Sequence, residues 1–130
     1  MTRRSEAWLR QANSDLQAAR CTAQEGFHSQ ACYLAGQAAE EALKALLVAA
    51  GITPPHSHSL ARLVEVLQSE GLRLDGLREL RLKPLTRMNS ATRYPQADEA
   101  PADLFDNRDS DLALATAETV VNITAAEPNA

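Results

Sequence analysis

The sequence predicts an all-α protein, an up-and-down bundle of four to five helices. Alanine, the best helix former, is the commonest residue, with 24 copies among 130. Strand formers are scarce: two Phe, two Tyr and one Trp, with no β-branched alternation anywhere. Apolar residues instead recur at three- and four-residue spacing between glycine and proline stops.

The first helix is expected over residues 5–25, with Ser5 as its N-cap and Gly26 ending it in a left-handed turn. Trp8, Leu9, Ala12, Leu16 and Ala19 form its apolar stripe, with Asn13, Gln17 and Arg20 on the other side. The short Phe27-His28 link turns the chain into an antiparallel second helix, residues 29–50, stopped by Gly51. This helix carries a wide small-residue face (Ala31, Leu34, Ala35, Ala38, Ala42, Ala45, Leu46, Ala49), which places it centrally, with neighbours on several sides. Glu40 and Lys44 form an i,i+4 pair, ordinarily worth roughly 0.2–0.5 kcal/mol.

The Pro54-Pro55 loop breaks the helix. Ser57 or Ser59 then caps a third helix over 60–69, with Leu60, Leu63, Val64 and Leu67 as its stripe and Gly71 as its end. The leucine-rich stretch beyond it predicts a helix over 75–83, extending at most to Asn89, with Pro84 as a break. Residues 91–106, with two prolines and several acids, are expected to be a loop. A last helix over 107–125 places Leu112, Ala115, Val120 and Ile123 on one face. One domain over 5–125 follows, with a frayed tail at 126–130.

Charge and composition exclude several classes. The net charge of −4 disfavours binding duplex DNA by charge alone. No apolar run approaches the ~20 residues of a membrane span, and the polar N-terminus is unlike a secretory signal. A cytoplasmic protein with no membrane association is expected, its two cysteines reduced. Cys21 and Cys32 stand near the facing ends of the first hairpin, without CxxC spacing, and read as ordinary thiols.

Two further clusters carry potential chemistry. His56 and His58 have the spacing of metal ligands but lack a third, so a histidine packing at the start of the third helix is the simpler reading. Arg87 and Arg93-Tyr94-Pro95 precede the last helix. Guanidinium groups in such a loop can clamp a phosphate, or can pair with Asp98, Glu99 or Asp103 and fix the loop. Phosphate-binding and hydrolase motifs are absent, and no metal or cofactor is called for.

Several segments together resemble the HEPN (higher eukaryotes and prokaryotes nucleotide-binding) domain. Trp8-Leu9-Arg10-Gln11-Ala12-Asn13-Ser14-Asp15-Leu16 is similar to the family's first helix. Gln37-Ala38-Ala39-Glu40-Glu41-Ala42-Leu43-Lys44-Ala45 is closer still, with Glu41 where the family usually has Lys. His58-Ser59-Leu60 and Thr92-Arg93-Tyr94-Pro95 match later landmarks in order. The resemblance implies a helical bundle, often a homodimer. It also implies one of two roles: a metal-independent ribonuclease toxin, or the companion of a minimal nucleotidyltransferase in a toxin–antitoxin pair, with nucleotide binding.

The family's nucleases use an Arg-x(4–6)-His motif. The positions at that distance from Arg87 and Arg93 hold Thr92, Arg93, Tyr94, Asp98, Glu99 and Ala100, and no histidine follows His58. Histidine suits the proton transfers of RNA cleavage because it titrates near neutral pH. The expected function is therefore a non-catalytic module binding a nucleotide, RNA or a nucleotidyltransferase, with Lys44, His58, Arg87, Arg93 and Tyr94 as candidate contacts and no catalytic residue. The alternative is a ribonuclease with a divergent site built from Arg87, Arg93 and His56 or His58.

Overall fold

The structure, a computed structural model, describes residues 1–72 and 74–127. The described residues form helices and no strand: α1 (Arg3–Gln24), α2 (His28–Ala49), α3 (Leu60–Ser69), α4 (Leu82–Ala91), α5 (Pro101–Leu104) and α6 (Asn107–Ala126). Five are of ten residues or more, and α5 is a single turn of four. The bundle predicted from the sequence is the one observed. Of the tail expected to fray at 126–130, Ala126 ends α6 and Glu127 is its C-cap, and residues 128–130 lie outside the described residues.

The central helix is α2, which packs against each of the other five. Its alanines allow this. Ala31, Ala35, Ala38, Ala39, Ala42 and Ala45 are fully buried, so neighbouring helices approach closely on several sides. Leu43, Leu46 and Leu47 fill the space between them, with Leu16 of α1, Leu60, Leu63 and Leu67 of α3, Leu85 of α4 and Val120 of α6. The α1–α2 hairpin closes through Gly26, whose φ of +87° is readily adopted only without a side chain.

Four local expectations are corrected. The cap of α1 is Thr2, which accepts the Ser5 N–H at 3.1 Å, and Ser5 is buried one turn inside. The helix expected over 75–83 does not form. Gly76 takes φ +94°, which turns the chain, and α4 begins only at Leu82. Pro84 therefore lies in a first turn, where a missing N–H costs nothing. The loop over 91–106 contains the α5 turn, started by Pro101, and a Gln96–Glu99 bridge. Asp106 leaves that acidic loop to cap α6. Its carboxylate accepts the N–H groups of Arg108 and Asp109, and Asp109 accepts the Asp106 N–H at 2.8 Å. Ser59, one of the two serines predicted, caps α3.

Candidate functional site

A polar stripe runs along α2. Tyr33, Gln37, Glu40 and Lys44 are spaced four, three and four residues apart, which aligns them on one face over roughly 16 Å of helix. Each end of the stripe receives side chains from elsewhere in the chain.

At the C-terminal end, Glu40 is buried and both carboxylate oxygens are engaged. Lys44 Nζ lies 3.0 Å from Oε2, and His58 Nδ1 lies 2.9 Å from Oε1. His58 comes from the loop before α3, so this contact anchors the loop to α2. Lys44 also lies 5.9 Å from the centre of the Trp8 ring on α1. The Glu40–Lys44 pair expected from its i,i+4 spacing is thus shielded from water and joins three elements.

One residue further, Glu41 faces Asp15 of α1. Burial, reinforced by its contact with Asp15, pushes the Glu41 carboxyl up to about 9. Glu41 is protonated at neutral pH and can donate to the Asp15 carboxylate, whereas two carboxylates would repel. Its Oε1 is buried with no hydrogen-bond partner. The lysine usual at this position in the family pattern would meet Asp15 as an ion pair.

At the N-terminal end the arrangement is open. Thr92, the C-cap of α4, is buried and donates its hydroxyl to the Met88 carbonyl. This places Arg93 just beyond the helix end. Arg93 Nε donates to the Asn89 carbonyl at 2.9 Å, and Gln37 Nε2 of α2 donates to Asn89 Oδ1 at 3.1 Å. The guanidinium lies over two rings, 4.7 Å from the centre of Tyr33 and 5.1 Å from that of Tyr94. Tyr94 is 58% exposed. Among the described residues Arg93 forms no ion pair. Of the two roles open to it, pairing with Asp98, Glu99 or Asp103 is therefore absent among the described residues. Its terminal nitrogens are left to solvent, beside two aromatic faces.

The structure thus joins Lys44 with His58, and Arg93 with Tyr94. Arg87 lies apart, lining a cleft between α3 and α4. No hydrogen bond or ion pair links His56 or His58 to Arg87 or Arg93 among the described residues. His28 Nδ1 contacts Ser110 Oγ at 2.9 Å. The described residues hold no group of three that could bind a metal, and none of their helices is long and apolar enough to cross a membrane. Both cysteines are free, and burial pushes the Cys32 thiol up to about 12, which keeps it protonated. Sequence reasoning missed Tyr33 as a partner of Arg93. The one available signal was its place on the stripe of Gln37, Glu40 and Lys44.

These features define a class: a small helical bundle presenting an unpaired arginine beside two aromatic rings. The family model described as the HEPN domain matches residues 5–127, and the chain belongs to that family. Among solved structures, TT1696 from Thermus thermophilus is similar, with a TM-score of 0.86 and 29% identity over 95% of this chain and 98% of that one. ST0689, an archaeal HEPN homologue, gives a TM-score of 0.71 and 28% identity over 96% and 97%. No curated protein sequence matches the chain.

Proposed function

We propose that this chain is a non-catalytic HEPN module that binds a nucleotide at the Tyr33–Arg93–Tyr94 edge. It acts as a homodimer beside a minimal nucleotidyltransferase, as one component of a toxin–antitoxin pair. The observation that carries the reading is the state of Arg93: fixed through Nε, placed over two rings, and free of any acid among the described residues. A guanidinium with unspent N–H groups matches a phosphate, and an exposed tyrosine face accepts a base of any identity. Lys44 and His58 serve this edge indirectly, by fixing α2 and the loop before α3 through Glu40.

The test is calorimetric titration with ATP. Arg93→Ala is expected to weaken ATP binding about tenfold or more, the scale of one lost charge-assisted contact. Unchanged affinity would remove the edge from the binding site. Purification of the tagged protein from its native host tests the partner. A stoichiometric nucleotidyltransferase is expected, and a bare homodimer would contradict that half of the reading. The ribonuclease alternative finds less support, because His58 is already held by Glu40 and contacts neither arginine. RNA incubated with micromolar protein is expected to remain intact.

A further inference from the structure

The stretch from Arg78 to Arg87 holds four cations, Arg78, Arg81, Lys83 and Arg87, with Glu79 as its single acid. In a chain of net charge −4 this is a marked reversal. All four line a cleft of about 540 Å³ between α3, the turn preceding α4, and the first turns of α4. The cleft has an apolar wall, formed by Val64 of α3 with Leu77 and Leu82. Its one acid, Glu65, is engaged by Arg62 at 3.0 Å. None of the four cations makes an ion pair with a described residue.

Four like charges gathered without an ion pair among the described residues repel one another, and a bound polyanion relieves this. The volume falls within the roughly 300–1,000 Å³ of small-molecule sites. The start of α4 adds to the bias. Its N-cap is Arg81, with no capping side chain and no acid in the first turn, so cations stand where the helix dipole favours an anion. The apolar wall asks for more than a bare ion.

We propose that this cleft binds a small molecule carrying two or more phosphate charges on an apolar body. The phosphates would meet Arg78, Arg81, Lys83 and Arg87, and the body would lie against Val64, Leu77 and Leu82. The site centres on the start of α4, roughly 15 Å along the helix from Arg93 with Arg87 between them, and does not depend on nucleotide binding there.

Geranyl diphosphate and inorganic pyrophosphate are suitable probes, titrated by calorimetry into the full-length protein. Geranyl diphosphate is expected to bind with one-to-one stoichiometry and about tenfold tighter than pyrophosphate, reflecting the apolar wall. The double variant Arg81→Gln/Arg87→Gln, and independently Arg78→Gln/Lys83→Gln, should each weaken it about tenfold or more. All four side chains are exposed, so the variants should melt like the parent, which circular dichroism checks. Arg93→Ala should leave this affinity unchanged. No binding by the parent protein, parent-like affinity in both double variants, or loss on Arg93→Ala would overturn the proposal. Pyrophosphate binding as tightly as geranyl diphosphate would overturn its apolar half.

Discussion

The two ends of the α2 stripe treat charge in opposite ways. At the Glu40 end, the buried carboxylate is paired on both sides, by Lys44 from within the helix and by His58 from the surface. Glu40 is 6% exposed, Lys44 and His58 occupy its two carboxylate oxygens, and Trp8 lies beside the ammonium. At the Arg93 end, the guanidinium is fixed through one nitrogen and leaves the others open beside two rings. A buried and satisfied cluster holds a fold together, whereas a held but unsatisfied one is available to a ligand. The contrast separates residues that the sequence placed on one footing.

The largest expected effect lies at the closed end. Glu40→Ala strands Lys44, and should cost about 2–3 kcal/mol in urea unfolding, below the usual range for a deeply buried pair because His58 remains solvated. Lys44→Met keeps an apolar stem near Trp8 and should cost less, about 1–2 kcal/mol.

Glu41 gives the next effect, with a definite pH signature. Its folded value of about 9 lies above the ordinary 4.5, so the folded state holds a proton the unfolded state releases. The stability linked to this group is complete below pH 4.5 and is lost as pH rises towards 9. Glu41→Gln should therefore stabilise the protein by about 1–2 kcal/mol at pH 7.5, after discounting for partial solvation, and by almost nothing at pH 4. Equal gains at both values would show that folding does not raise the Glu41 carboxyl.

Asp106 titrates in the opposite sense. The N–H groups of Asp109 and Arg108 hold its carboxyl below the ordinary 3.8. Its cap is fully in place above pH 3.8 and is lost as pH falls through its lower folded value. Asp106→Ala should lower Tm by a few degrees at neutral pH, and by less in acid. The smallest effect lies at the open end. Arg93→Ala should change stability by less than about 0.5 kcal/mol, as for an exposed side chain without an ion pair.

Much of this was legible where the signal was local. Ser59 and the Leu60, Leu63, Val64, Leu67 stripe defined α3 to the residue. The alanine face of α2 announced its central position. The Asp106-x-x-Asp109 pattern before an apolar run was an available capping signal, yet the acids of that segment read more simply as a solvated loop. The leucines before α4 imitated an amphipathic helix, and nothing in their spacing disclosed that Gly76 would turn the chain. The sites were less legible because their contacts are distant in sequence. Tyr33 meets Arg93, Glu40 meets His58, and Asp15 meets Glu41 only after the bundle assembles. Periodicity could place each residue on a face but could not pair the faces.

The proposed division, with one end of the stripe maintaining the fold and the other binding a nucleotide, is open to a direct test. Thermal unfolding of the parent protein, Lys44→Met and Arg93→Ala, each with and without saturating ATP, reads both halves at once. Lys44→Met is expected to melt lower yet keep the ATP-induced rise in Tm, while Arg93→Ala is expected to melt like the parent and lose that rise. The reverse pattern, with the rise lost on Lys44→Met and retained on Arg93→Ala, would contradict that division.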